Sequence, residues 1–396
     1  MLGARPRLLL VITEDSYFWS HRLGLGRAAR DAGMDVHLMT RIKDHGKRIK
    51  DEGFTLLPIP FVRGSRNPVS ELSAVLKLAV RYRQIKPDIV HHVAMKPMLY
   101  GSCAARIAGV PAVVNAFAGL GYAFIAQGWR AGLLRVTIRN SLRWALALPT
   151  NSRVISQNLE DYERLLREKI VPQSKVTMIR GSGVDYLEYR PGSGENDDAP
   201  IVLLAARMVW HKGVGEFIKA ARILKRQGVR VRCVLVGTAD HENPDSLSEN
   251  ELADCQKEGV VEWWGQRDDM PHVLANSHVV VLPSYTEGLP KILLEACACG
   301  IPVVASRVNG CREIVRDGEN GILIPKKDAP ALAAAIKLLL EDPPLRQRMG
   351  RRGREIVVEE FSAERVARET LAVYEELLDN IRWSSFTSVS APRPTG

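Results

Sequence analysis

The sequence predicts an α/β protein with two doubly wound, Rossmann-like domains facing a cleft. Three observations carry that expectation. The chain has 396 residues, more than one hydrophobic core of about 100–200 residues usually organises. Short continuous apolar runs alternate with longer segments whose apolar residues recur three and four apart, and this alternation occurs twice. Apolar strands between helices are the mark of parallel sheets covered on both faces. Between the two runs lies "YRPGSGENDDAP", residues 189–200, a polar stretch rich in Gly, Pro and acid that reads as a linker.

The first run opens with "RLLLVI". Its apolar segment is too short for a signal peptide, no small-residue cleavage site follows, and acids come at once, so it reads as a strand. The strands "DVHLMT", "FTLLPI", "PDIVHHV", "PAVVNAF", "SRVIS" and "KVTMI" follow, with helical patterns such as "SELSAVLKLAVRYRQI" between them. "GLGRAA", residues 24–29, matches a dinucleotide fingerprint only in its letters. It falls in the helix after the first strand rather than in the tight turn, so NAD binding is not expected. The second run restarts at "IVLLAAR", continues through the helix "GEFIKAARILKRQ", and adds the strands "VRCVLVG", "VVEWWG", "HVVVLPS" and "IPVVAS". The expected domains are residues 1–188 and 201–360. A terminal helix over about 361–383 packs back towards the first domain, and 384–396 form a disordered tail.

Composition narrows the function classes. Apolar residues make up 46% and charged residues 25%, as in soluble globular proteins, and no apolar run reaches the ~18 residues of a membrane span. The six cysteines are scattered without CxxC pairing, which points to buried thiols rather than a metal site. Charge is uneven. Residues 1–190 hold 29 Lys and Arg against 15 Asp and Glu, a balance of +14, and the remainder holds 26 against 30, a balance of −4. Between Ile89 and Leu159 there is no acid at all. The first half therefore expects an anionic partner, be it phosphate, nucleic acid or an acidic membrane surface. No recognition motif or aromatic-studded basic strand supports nucleic acid.

In open parallel sheets, ligands gather beyond the carboxyl ends of the strands. Arg207, Gly237, Gly265 and Glu287 each follow a strand of the second half. "SYTEGLPKILLEACACG" reads as a helix over about 290–299, with Pro290 in its first turn and Gly300 ending it. Its free N–H groups suit a phosphate. Glu295, further along the helix, can accept two hydrogen bonds from a vicinal diol, and Glu287 can accept from sugar hydroxyls. The plain alternative makes Glu287 a helix cap and Glu295 a solvated acid. Arg207 and Lys212, in "AARMVWHKG", are placed to clamp a diphosphate.

These stretches resemble a known family. The spacing of Glu287 and Glu295 is similar to the E-x7-E signature of retaining glycosyltransferases of the GT-B architecture, the large fourth family (glycosyl transferases group 1). "ARMVWHKG" resembles its Arg and Lys donor-phosphate pair, and "GVD" at 183–185 the turn before its interdomain linker. "GENGILIP" and the long terminal helix also fit. The resemblance implies a first domain for the acceptor and a second for the nucleotide-sugar donor. Glu287 would hold the donor sugar, Glu295 the ribose, and Arg207 and Lys212 the diphosphate. The backbone from Gly288 and Leu289 through Pro290 and Lys291 would approach the phosphates, and Gly265, Gln266 and Arg267 would cradle the base. "SHRL", "MKPMLYG" and "NAFAGLGY" look most like bacterial enzymes that build undecaprenyl-linked glycans or surface polysaccharides. The implied reaction moves a hexosyl or N-acetylhexosaminyl group from a UDP-sugar to a hydroxyl of a lipid-linked or polysaccharide acceptor, with retention and without a metal.

The sequence departs from that pattern on the acceptor side. "TEDSYFWSHR" stands where many members carry a glycine pair, and Phe117 where a histidine is expected. His21, His91, His92, Lys96 and Asn115 remain as polar candidates there, with strand-end packing the alternative for the histidine pair. "QGWRAGLLRVTIRNSLRWALAL" places Arg130, Arg135, Arg139 and Arg143 at roughly helical spacing, with Trp129 and several leucines around them. It resembles an interfacial helix for the anionic inner face of the cytoplasmic membrane, or else a basic helix packed on the sheet. A sugar-nucleotide epimerase of the same architecture and a non-catalytic nucleotide-sugar or lipid-binding protein are the competing classes.

Overall fold

The computed structural model describes residues 5–59, 68–117, 129–192, 199–240, 243 and 245–389, with the backbone alone for 68–70, 129–134 and 382–389. The chain divides into two compact units, Met1–Ser182 with Glu364–Gly396, and Gly183–Ala363.

The first unit is wound on a seven-stranded sheet: β1 (Arg7–Glu14), β2 (Asp35–Arg41), β3 (Thr55–Pro58), β4 (Ile89–Val93), β5 (Ala112–Phe117), β6 (Ser152–Ser156) and β7 (Val176–Met178). Their order is β3-β2-β1-β4-β5-β6-β7, and every pairing is parallel. Leu8, Leu10 and Ile12 of β1 face a core shared with Phe18, Leu25 and the terminal helix Ala363–Val389, through Val366, Val373, Tyr374 and Leu377. Leu9 and Val11 face the opposite side, against the helix Pro68–Ile85. Both faces of β1 are buried, which explains why its run has no polar alternation.

The second unit carries six parallel strands: β8 (Ile201–Ala205), β9 (Arg232–Val236), β10 (Glu262–Trp263), β11 (Val279–Leu282), β12 (Val303–Ser306) and β13 (Gly321–Ile324). Their order is β10-β9-β8-β11-β12-β13. β8 is flanked by β9 on one side and β11 on the other. The winding reverses between β8 and β11, and this switch point opens a crevice at the carboxyl ends of those two strands.

Three details differ from expectation. "GILI" forms the edge strand β13, where Gly321 lies against β12 so closely that a Cβ would meet the Val303 carbonyl at 2.3 Å. The terminal helix continues through residues 384–389, which were expected in the tail, while 390–396 lie outside the described residues. In the linker stretch, residues 193–198 lie outside them too. Tyr189 packs into the core of the second unit, because a large ring in a polar stretch gains by burial.

Candidate active site

The donor-side residues converge at the β8–β11 switch point of the second unit. After β8 the chain passes Arg207 and a 3-10 turn, Trp210–Lys212, before the helix Val214–Arg226. Gly213 joins the two with φ +80, and a Cβ there would lie 2.2 Å from the Pro283 carbonyl. Only glycine permits this approach, and it brings Lys212 under the loop that follows β11. Tyr285 N donates to His211 O at 2.9 Å, locking that loop to the turn.

The helix Lys291–Ala298 begins with Pro290 as its N-cap, one residue before the first turn where it was expected, and no side chain caps it. Its leading N–H groups have no partner within the helix, so the end is available to an anion. Glu287 does not cap it. The Glu287 carboxylate accepts from Lys212 Nζ at 2.6 Å, in a pair whose side chains are 7% and 19% exposed respectively. Glu295 is not solvated either: it is 8% exposed and accepts from Lys291 Nζ. Lys291 in turn lies 5.3 Å from the centre of the Tyr189 ring. Burial, then the neighbouring Glu295 charge, push the Tyr189 hydroxyl far above its ordinary pKa.

Arg207 lies at the rim, half exposed, with Nη1 2.6 Å from Asp240 Oδ2. Asp240 follows β9, and its own N–H donates to Ser246 Oγ at 2.8 Å. Gly237 (φ +131) admits the Ala206 carbonyl where a Cβ would lie 1.9 Å away, and its N–H donates to Gly265 O at 2.8 Å. The turn at Gly265 (φ +65) leaves Gln266 and Arg267 exposed. Arg267 is held by Asp269 through two hydrogen bonds and lies over Trp264, as does Arg232. Trp264, Arg267, His272, Val273 and Asn276 line a groove beside this turn.

Four residues of this arrangement were not anticipated: Asp240, Tyr189, Glu216 and Gly310. Glu216 is buried and accepts from the Tyr285 hydroxyl at 3.0 and 3.1 Å; burial first, then Glu216, push that hydroxyl up to about 12. Gly310 is the second residue of the short helix Asn309–Arg312 under the loop that follows β11, and a Cβ there would meet Gly288 O at 2.4 Å and Glu287 O at 2.6 Å. The acid directly after β9 and the ring within the linker stretch were the available signals for Asp240 and Tyr189.

The first unit places its candidates differently. His92 is fully buried, with Nε2 3.0 Å from the Tyr82 hydroxyl and Nδ1 2.9 Å from Asn115 Oδ1. Burial lowers its pKa to about 4. Asn115 Oδ1 also accepts from Ser102 Oγ at 3.3 Å. His91 points to the opposite face, 2.6 Å from the Tyr374 hydroxyl, and burial ahead of the Arg22 charge lowers its pKa. All three are buried, held by partners on distant segments, while His91 Nε2 and Asn115 Nδ2 have no hydrogen-bond partner among the described residues. Phe117 is likewise buried. His21 is half-buried, stacked on Tyr17 with its Nδ1 2.6 Å from Ser20 Oγ. Lys96 pairs with Glu71 at 3.0 Å. Where a glycine pair was expected after β1, a helix starts directly, and the Asp15 carboxylate accepts from Lys43 N and His45 N.

The helix Trp129–Ala147 packs Leu142 and Leu146 inward, leaves Arg135 and Arg139 on its half-buried flank, and exposes Val136, Arg143 and Trp144. The side chains of Trp129 and Arg130 lie outside the described residues. Among the described residues no group of His, Cys, Asp and Glu is arranged to hold a metal, and no helix is long and apolar enough to cross a membrane.

Two family models cover most of the chain. "Glycosyl transferase 4-like" matches residues 7–158 and "Glycosyl transferases group 1" matches 185–356, the part that contains the switch-point site. The chain is a glycosyltransferase whose residues 185–356 match group 1. This glycosyltransferase is 29% identical over 372 residues to the N,N'-diacetylbacillosaminyl-diphospho-undecaprenol alpha-1,3-N-acetylgalactosaminyltransferase of Campylobacter jejuni, covering 91% of this chain and 96% of that one. It is 25% identical over 323 residues to an Escherichia coli UDP-Gal:alpha-D-GlcNAc-diphosphoundecaprenol alpha-1,3-galactosyltransferase, covering 78% and 81%. The GT-B fold is shared with an Anabaena protein, HepE, solved in complex with UDP and glucose, with a TM-score of 0.75, 18% identity and 93% and 99% coverage.

Proposed function

We propose that this glycosyltransferase transfers a hexosyl or N-acetylhexosaminyl group from a UDP-sugar to a hydroxyl of an undecaprenyl-diphospho-linked glycan, with retention, on the cytoplasmic face of the membrane. The observation that carries the donor side is the pairing of Lys212 with Glu287 and of Lys291 with Glu295 at an uncapped helix that follows β11, with Arg207 after the neighbouring β8. One relative named for UDP-Gal and two named for diphospho-undecaprenol acceptors support the substrate classes.

In this reading the anomeric carbon exchanges its bond to the donor diphosphate for one to the acceptor oxygen, and the acceptor's proton passes to an oxygen of the departing diphosphate. Negative charge grows on the departing diphosphate. Lys212, already oriented by Glu287, and Arg207 at the rim meet that charge, as do the N–H groups that begin the helix at Lys291. Glu287 keeps one carboxylate edge for sugar hydroxyls. Glu295, fixed by Lys291, accepts from the ribose diol. A partly buried Lys–Glu pair of this kind holds its geometry before substrate arrives, so little reorganisation remains for the reaction.

Lys212→Ala is expected to lower turnover by an amount worth about 2–4 kcal/mol in the transition state, read by radiolabelled transfer to a lipid extract. Lys212 also balances Glu287, so thermal unfolding is recorded in parallel and Lys212→Arg serves as the charge-retaining control. Unchanged turnover in Lys212→Ala removes this assignment. An isomerised sugar from donor alone, without transfer, would instead identify an epimerase. Activity that persists in EDTA is expected, because the cations above leave no need for a metal clamp.

A further inference from the structure

Three helices of the first unit, Pro68–Ile85, Met95–Ala108 and Trp129–Ala147, cover one face of its sheet side by side. The outermost turns of Pro68–Ile85 expose Leu72 (64%), Leu76 (52%) and Val80 (51%). Spaced by four, they form one line along the helix. Single exposed apolar residues mean little, but a contiguous line of them marks a contact surface. Lys77 and Arg81 run beside that line, also exposed, and Arg83 is exposed near its end. The inner face of the same helix is accounted for, since Ala74, Leu78, Ala79 and Tyr82 pack into the core.

Charge identifies the occupant. Glu71, the helix's acid, is taken by Lys96 and Tyr100. The two neighbouring helices contain no acid, and they expose Arg106, Ile107, Val136, Arg143 and Trp144. We propose that the Leu72–Leu76–Val80 line, with Lys77, Arg81 and Arg83 along it, is the surface by which the first unit rests on an anionic phospholipid bilayer. An apolar row inserted at the headgroup boundary with cations alongside is how interfacial helices bind. A second copy of this chain would set like charges against each other across such a face. The inference rests on the lipid-linked acceptor proposed above. It moves the centre of membrane contact from Trp129–Arg143 to the helix Pro68–Ile85, since Arg135 and Arg139 are half-buried.

The test is co-sedimentation of the full chain with vesicles of phosphatidylglycerol and phosphatidylcholine in equal parts, against phosphatidylcholine alone. The wild type should bind only the anionic vesicles, less well at high salt. Leu72→Ser/Leu76→Ser/Val80→Ser should weaken binding by about tenfold or more, and Lys77→Ala/Arg81→Ala by about fivefold per charge. Both variants should keep wild-type kcat/KM towards a water-soluble acceptor lacking the polyprenyl chain. That readout fails if the transfer reaction is misassigned, independently of the membrane surface. Vesicle binding unchanged in both variants overturns the proposal. So does a wild type that ignores anionic vesicles while the triple substitution breaks up a dimer in sedimentation velocity.

Discussion

Gly310 shows how a residue with no side chain can govern the acids of the proposed donor site. Its Cα lies against the carbonyls of Glu287 and Gly288, so a methyl group must push the loop away and carry Glu287 off Lys212. Gly310→Ala is therefore expected to lower kcat/KM by on the order of 100-fold, the usual cost of a displacement near 1 Å, with the fold kept as judged by circular dichroism. Asp240 acts in the opposite sense. It holds Arg207, and because that pair is half exposed its contribution to stability is below about 1 kcal/mol. Asp240→Asn should leave the melting temperature nearly unchanged and lower the KM for donor, by no more than about fivefold, since the diphosphate no longer competes with a carboxylate. A raised KM would show that Asp240 positions Arg207 instead.

β4 carries two histidines buried on opposite faces, and their titration is coupled to folding. His92 has a folded pKa of about 4, and His91 is also lowered; an unfolded histidine titrates near ~6.5. Between those values the unfolded chain binds more protons, so stability is complete above about pH 6.5 and falls as pH drops towards 4. For His92 alone the loss is on the order of 3 kcal/mol. Urea unfolding at a series of pH values should show this slope, and His92→Gln should flatten it. A slope unchanged by that substitution would place the titration elsewhere. Gly101 belongs to the same arrangement, since a Cβ there would lie 2.2 Å from His92 Nε2. The line of Leu72, Leu76 and Val80 runs along the other face of the helix that carries Tyr82, so one helix supports β4 inwardly and offers an apolar edge outwardly.

The molecule as a whole is two Rossmann-like units with the donor-side cluster confined to Gly183–Ala363. A ligand that binds only the folded second unit stabilises it by mass action, by about 2.7 kcal/mol at a hundredfold excess over Kd. UDP should raise the melting transition of the full chain, and Glu295→Ala should abolish the shift if Glu295 holds the ribose. A shift preserved in Glu295→Ala would remove the ribose from that position. The charge asymmetry between the halves fits the same division, with cations concentrated on the unit proposed to meet lipid and a near-balanced unit around the donor.

Much of this was legible in the chain because it is written locally. Continuous apolar runs between amphipathic helices define both sheets, and residues directly after strands fall at the ligand edge whatever the details of packing. The strand-following positions of Arg207 and Glu287 therefore led to the switch point. What eluded the sequence depends on pairing between distant segments. Lys212 meets Glu287 across 75 residues and His91 meets Tyr374 across 283, and no local pattern distinguishes a strand-end histidine facing substrate from one buried against a tyrosine. Likewise the i, i+4 spacing of Leu72, Leu76 and Val80 would read the same on a core face. Only the packing of Leu78 and Tyr82 beneath the helix turned that line outward, because a helix can bury one side against a sheet and must leave the other exposed.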